Sequence, residues 1–186
     1  MKKKILISVL AMLCTYVTGF PQVNSSSKTL REGDRLPDVT ISHISSYPAS
    51  SQRLSAFNTP LIILDFWATW CGSCIKEFPH VEALAKQFKG QAQFLLVNSR
   101  PVTKDDRQKI KYFFSYTKKP KGVAIVQEDT ILCSYFDTPS LPRYVWLKQD
   151  GTVLAITDQT AVTESRIRQV LAGITAPSPH SSTKVP

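Results

Sequence analysis

The sequence predicts an α/β domain: a central mixed sheet with helices on both faces, closed by a C-terminal antiparallel hairpin. Three observations predict it. Residues 61–66 (LIILDF) are apolar on both alternating faces except at Asp65, as suits a strand buried on both sides in a mostly parallel sheet. From Cys74 onward Ile75, Phe78, Val81, Leu84, Ala85 and Phe88 recur at helical spacing, with Gly90 placed to stop the helix. Asp150-Gly151, flanked by apolar runs at 144–147 and 152–157, is a strong hairpin signal.

The remaining elements follow in chain order. Residues 38–42 read as a first strand, 45–51 as turn-rich chain, and 54–57 as a short helical turn before the central strand. Residues 93–98 form a second core strand. Thr103 is placed to cap a helix over 104–117, whose stripe is Ile110, Phe113 and Phe114. Residues 123–127 make a strand and 130–136 a short helix that leads into the loop before Pro142. Thr163 caps a last helix over 164–171.

With 186 residues, 42% apolar and 20% charged, the chain fits one soluble globular domain. Residues 1–19 read as a secretory signal: Lys2, Lys3 and Lys4 precede an apolar run too short for the roughly 20 residues that span a bilayer. Export to a bacterial periplasm is the expectation. Lipid attachment at Cys14 is disfavoured by bulky Leu13 before it. Residues 20–32 read as a linker, 33–173 as the domain, and 174–186 as a disordered tail rich in proline, serine and threonine. Loss of the leader leaves 20 basic and 14 acidic side chains, a net charge of +6. The densest basic cluster, within 104–121, is interrupted by Asp105 and Asp106 and carries no recognition motif, so no nucleic-acid partner is expected. It reads as a solvated helix face.

Cys71 and Cys74 sit where the buried strand hands over to the helix. Unpaired backbone N–H groups and the positive end of the helix dipole favour a thiolate at Cys71 and make it the attacking sulfur. Cys74 lies one turn inward on the same face, close enough to close a disulfide. Asp65, buried in the strand, is placed to take the Cys74 proton through water. Glu77, one turn after Cys74, is either an alternative base or an exposed helix carboxylate. Cys133 is read chiefly as a small buried hydrophobe, with a regulatory or partner-linking thiol as the sharper reading.

FWATWCGSC followed by KEFP resembles the thioredoxin superfamily, and within it the exported TlpA/ResA-like thiol-disulfide oxidoreductases. The similarity runs from about Gly33 to Gly173, through GDRLPDVTI, LSAFNTPLIILDFWATWC and SLPRYVWLKQDGTVLA. It implies a thioredoxin-like fold and dithiol exchange with disulfide-containing protein substrates, fed by a membrane thiol electron donor if the protein acts as a reductase. It further implies Cys71 as nucleophile, Cys74 as resolving cysteine, Asp65 as buried acid and Glu77 as the acid that follows the second cysteine. Pro142 becomes the cis-proline facing the disulfide. The implied substrate surface is Trp70, Gly72, Ser73, Leu141, Pro142 and Arg143. Two positions depart from the common pattern: Ser73 stands where proline is usual, and Arg143 where a small residue usually follows the cis-proline. Both bear on potential and substrate preference.

Other functions fit less well. Half a zinc site needs two further ligands, and His43, His80, His180 and Cys133 are scattered, so no metal and no cofactor are expected. A peroxiredoxin-type peroxidase calls for a Thr-x-x-Cys setting that the chain lacks. A thioredoxin-like binding module without turnover is the non-enzymatic rival, and the intact Cys71, Cys74, Asp65 and Pro142 argue against it.

Overall fold

The computed structural model describes residues 29–175. The expected signal at 1–19 with Cys14, nearly all of the expected linker, and the tail beyond Thr175 lie outside the described residues. The elements are β1 (Thr40–Ser42), β2 (Ile44–Ser45), β3 (Ser51–Arg53), β4 (Leu61–Phe66), α1 (Gly72–Gln87), β5 (Ala92–Ser99), α2 (Arg100–Thr103), α3 (Arg107–Tyr116), β6 (Ala124–Asp129), α4 (Leu132–Tyr135), β7 (Arg143–Lys148), β8 (Val153–Thr157) and α5 (Glu164–Thr175). Six strands form one mixed sheet in the order β2-β6-β5-β4-β7-β8.

β4 is buried at all six positions because it has neighbours on both edges, β5 parallel and β7 antiparallel. Strand alternation then divides the core. Leu61 and Ile63 join a cluster with Phe78, Val81 and Leu84 of α1, Ile110 and Phe113 of α3, and Ile167 of α5. Ile62, Leu64 and Phe66 face the opposite cluster, which is covered by Leu36, Ile41, Leu54 of a one-turn 3-10 helix, and Leu132 and Phe136 around α4. Helices therefore lie on both faces, the long ones together on the α1 side. Each fully buried Leu, Val or Phe of this kind contributes about 1.5–3 kcal/mol relative to exposure.

The C-terminal hairpin forms as expected, with β7 antiparallel to β8. Gly151 is required in its turn: its φ is +90°, and a Cβ there would overlap the Leu36 carbonyl oxygen. At the opposite edge, residues 46–50 are bends and irregular chain, as expected, and only the end residues Ser45 and Ser51 are in strands. Ile44–Ser45 pairs antiparallel with β6, while β1 and β3 pair with each other outside the main sheet. Packing also begins before Gly33 and ends after Gly173: the Leu30 N–H donates to the Tyr135 carbonyl at 2.8 Å, and Ile174 packs against the α1-side cluster.

The helix expected over 104–117 begins three residues later, as α3, and Thr103 is not its cap but the end of the separate short helix α2. Asp106 caps α3, accepting from the Lys109 N–H at 2.7 Å. Lys104 adopts a left-handed conformation, φ 59°, which ends α2, and the Thr103 hydroxyl turns inward to donate to Asn98 Oδ1 at 2.8 Å.

Candidate active site

The site forms at the C-terminal end of β4, where the chain turns into α1. Trp67, fully buried at the strand end, packs against Phe78 of α1 and against Phe113 and Phe114 of α3 at ring separations of 5.3–5.5 Å. The next residues are held by a polar clamp. Buried Asp105 accepts the Thr69 N–H and hydroxyl, each at 2.8 Å, and Asn98 Nδ2 at 2.9 Å, and pairs with Lys109 at 2.6 Å. Burial pushes the Asp105 carboxyl up, but Lys109 and these donors outweigh it and hold the acid below its ordinary value. Trp70 Nε1 donates to the Thr103 carbonyl at 3.0 Å while its ring stays 60% exposed.

On this platform Cys71 and Cys74 are joined by a disulfide, with Cα atoms 5.3 Å apart. Cys71 is the N-cap of α1. Its sulfur accepts from the Cys74 N–H at 3.2 Å and lies 3.4 Å from the Ser73 hydroxyl, so two donors address the atom that becomes the thiolate on reduction. Cys74 is more deeply buried than Cys71, 1% against 5% exposed.

Asp65 is 1% exposed on the α1 side of β4, opposite Tyr144 in the ladder. Burial pushes its carboxyl up to about 8; the facing Tyr144 phenol opposes the shift and the charge of Glu77 adds to it. Glu77 is half-buried and close enough to act on Asp65 electrostatically, so it is not simply a solvated helix carboxylate. The Leu141–Pro142 peptide is cis. Leu141 is half-buried and touches both clusters, and Pro142 is buried. Gly72 and Ser73 are exposed on the first turn of α1. Arg143 pairs with Phe66, which puts it on the strand face away from Asp65, and it neighbours Asp158, whose pKa it helps to lower. No hydrogen bond or ion pair joins Arg143 to either cysteine among the described residues.

Trp70 and Ser73 are thus exposed beside the buried Cys71–Cys74 disulfide, with Asp65 buried in β4 and Glu77 half-buried on α1. Sequence reasoning missed Tyr144 and the Asp105 clamp. Cys133 is half-buried, and burial together with the Asp129 charge pushes its thiol up to about 11. Among the described residues no three His, Cys, Asp or Glu side chains gather as a metal site, and no helix is long and apolar enough to cross a membrane.

The thioredoxin family model matches residues 47–113, the stretch that carries β4, the cysteine pair and α1. ResA of Bacillus subtilis, named a thiol-disulfide oxidoreductase, is 25% identical over 164 residues, covering 88% of this chain and 87% of that protein. The chain is similar to thioredoxins across its active-site segment and to ResA-like thiol-disulfide oxidoreductases along most of its length, and its fold is thioredoxin-like. The thioredoxin-like protein YneN of B. subtilis is 30% identical over 111 residues, covering 58% of this chain and 64%, just under two thirds, of YneN. Among solved structures, the thiol:disulfide interchange protein DsbE of Chlorobium tepidum superposes with a TM-score of 0.59 at 24% identity over 78% of this chain and 99% of that one, a likeness of fold.

Proposed function

We propose that this protein is an exported thiol-disulfide oxidoreductase that reduces protein disulfides by dithiol exchange. The observation that carries the reading is the placement of the pair: Cys71 caps α1 beside exposed Trp70, and buried Cys74 lies one turn below. In the reduced form the Cys71 thiolate attacks one sulfur of a substrate disulfide. A Cys71–substrate bond forms and the first substrate thiolate leaves. Cys74 loses its proton to the Asp65 carboxylate and attacks Cys71 Sγ; the Cys71–substrate bond breaks and its electron pair leaves with the second substrate thiolate. Two electrons pass to the substrate and the Cys71–Cys74 disulfide returns.

Trp70, Gly72, Ser73, Leu141 and Pro142 form the substrate-facing surface in this reading, with Glu77 tuning Asp65. Arg143 is assigned a weaker part, since its strand face points away from Asp65. The reading takes residues 1–19 as the export signal, and a membrane thiol relay as the electron donor that an oxidising compartment would demand. Insulin reduction tests it: the wild type should accelerate turbidity in the presence of a dithiol, and Cys71→Ser should not. Equal rates with and without the wild-type protein would leave a binding module as the better description.

A further inference from the structure

Tyr144 is a buried ionisable residue that the exchange reaction as described leaves unused. It stands in β7 directly across from Asp65 in β4, so the two side chains leave the same face of the sheet. Cβ atoms of such pairs lie about 4.5–5.5 Å apart. Both residues are sealed from solvent, at 0% and 1% exposure. In the disulfide form neither the phenol oxygen nor either carboxyl oxygen has a hydrogen-bond partner of standard geometry. Buried polar atoms are seldom left so, and here the missing partners face each other.

The ladder neighbours offer no substitute, although Trp67 Nε1, two residues on from Asp65, is also a buried donor without a partner. On the other edge of Asp65 the ladder supplies Leu96, which is apolar. Across β8, Tyr144 meets Thr157, whose hydroxyl is engaged by Trp146 Nε1 at 3.0 Å. The titratable groups that act on Asp65 are Tyr144 from β7 and Glu77 from α1.

We infer that Tyr144 is a positioning residue for the resolving step: its phenol O–H donates to the Asp65 carboxylate and holds that carboxylate ready to accept the Cys74 proton. This rests on Asp65 being the base for Cys74. Tyr144 keeps its own proton throughout, because burial and the nearby carboxylates push its pKa far up. The proton goes from Cys74 to Asp65, and the electron pair follows the exchange already described. Burial and the charge of Glu77 favour a neutral Asp65, and the phenol opposes both. Two or three donors lower a carboxyl by about two units, so losing this one should raise Asp65 by about one unit.

The test follows the second thionitrobenzoate released when reduced protein reacts with Ellman's reagent, by stopped flow from pH 5 to 10 in a Cys133→Ala background. Tyr144→Phe should move the midpoint of the resolving phase up by about one unit, slow it about tenfold near neutral pH, and recover at high pH. Asp65→Asn should be slow at every pH, and the double variant should match it. An unmoved midpoint in Tyr144→Phe beside a slowed Asp65→Asn would overturn the inference alone. An unslowed Asp65→Asn would overturn the base assignment, and the inference with it. Should Tyr144→Phe not fold, NMR of the wild type decides: the Tyr144 Cζ resonance should titrate with the Asp65 Cγ midpoint, and a Tyr144 resonance indifferent to that titration overturns the inference.

Discussion

Asp105 and Thr69 are separated by 36 positions in the chain, yet the Asp105 carboxylate takes both the backbone N–H and the hydroxyl of Thr69 at 2.8 Å. The loop that presents Trp70 and Cys71 is thereby fixed to the chain between α2 and α3. Asp105→Ala would leave Thr69 and Asn98 without their buried acceptor, while Lys109, about half exposed, can turn to water. We expect a loss of about 2–4 kcal/mol. Differential scanning calorimetry should show it as a midpoint lower by roughly 5–10 °C. Trp70 should become more accessible to a collisional quencher, and an unchanged midpoint with unchanged quenching would contradict the clamp.

Asp65 makes stability depend on pH. The folded protein keeps the Asp65 proton to about pH 8, whereas the unfolded chain releases it near pH 4. Between those values the folded state binds more protons, so this group's contribution to stability falls as pH rises. Asp65→Asn should match the wild type near pH 4 and exceed it progressively toward pH 8, by up to about 1.4 kcal/mol per pH unit. Chemical denaturation of both proteins across that range measures the gap; a gap that does not widen would contradict a buried, neutral Asp65.

Ser73 adds a donor beside the reactive sulfur, its hydroxyl 3.4 Å from Cys71 Sγ. A hydrogen bond to a charged group is worth about 1.5–3 kcal/mol, and about 1.4 kcal/mol corresponds to roughly 30 mV for a two-electron couple. Ser73→Pro should therefore make the potential more negative by on the order of 30–60 mV and raise the Cys71 pKa. Glutathione titration gives the first and thiolate absorbance the second. A more negative potential with an unchanged pKa would assign the effect to proline rigidity instead.

Cys133 should be the slow thiol. With its pKa pushed up to about 11, reduced protein treated with iodoacetamide at neutral pH should carry label at Cys71 long before Cys133. Peptide mapping over time checks the order, and early labelling of Cys133 would restore a regulatory role for it.

β4 and α1 were legible because burial on both faces and helical spacing leave direct marks in the sequence, and Asp150-Gly151 declared its hairpin. β2 was not. Two residues, Ile44 and Ser45, show no periodicity, and their pairing with β6 depends on chain 80 positions away. The break at Lys104 was hidden because a left-handed lysine has no sequence signature of its own. Asp105 read as a surface charge interrupting a basic cluster; its burial depends on a loop closure that local sequence does not record. Tyr144 could be read as buried from its strand, but its meeting with Asp65 is a matter of register, which pattern alone leaves open.

The central claim is that Cys71 attacks and Cys74 resolves. Intact-mass spectrometry after mixing each single-cysteine variant, in reduced form on a Cys133→Ala background, with a disulfide-bonded protein substrate tests it directly. Cys74→Ser should accumulate a mixed disulfide through Cys71, while Cys71→Ser should stay unmodified. An adduct on Cys71→Ser equal to or greater than that on Cys74→Ser would contradict it.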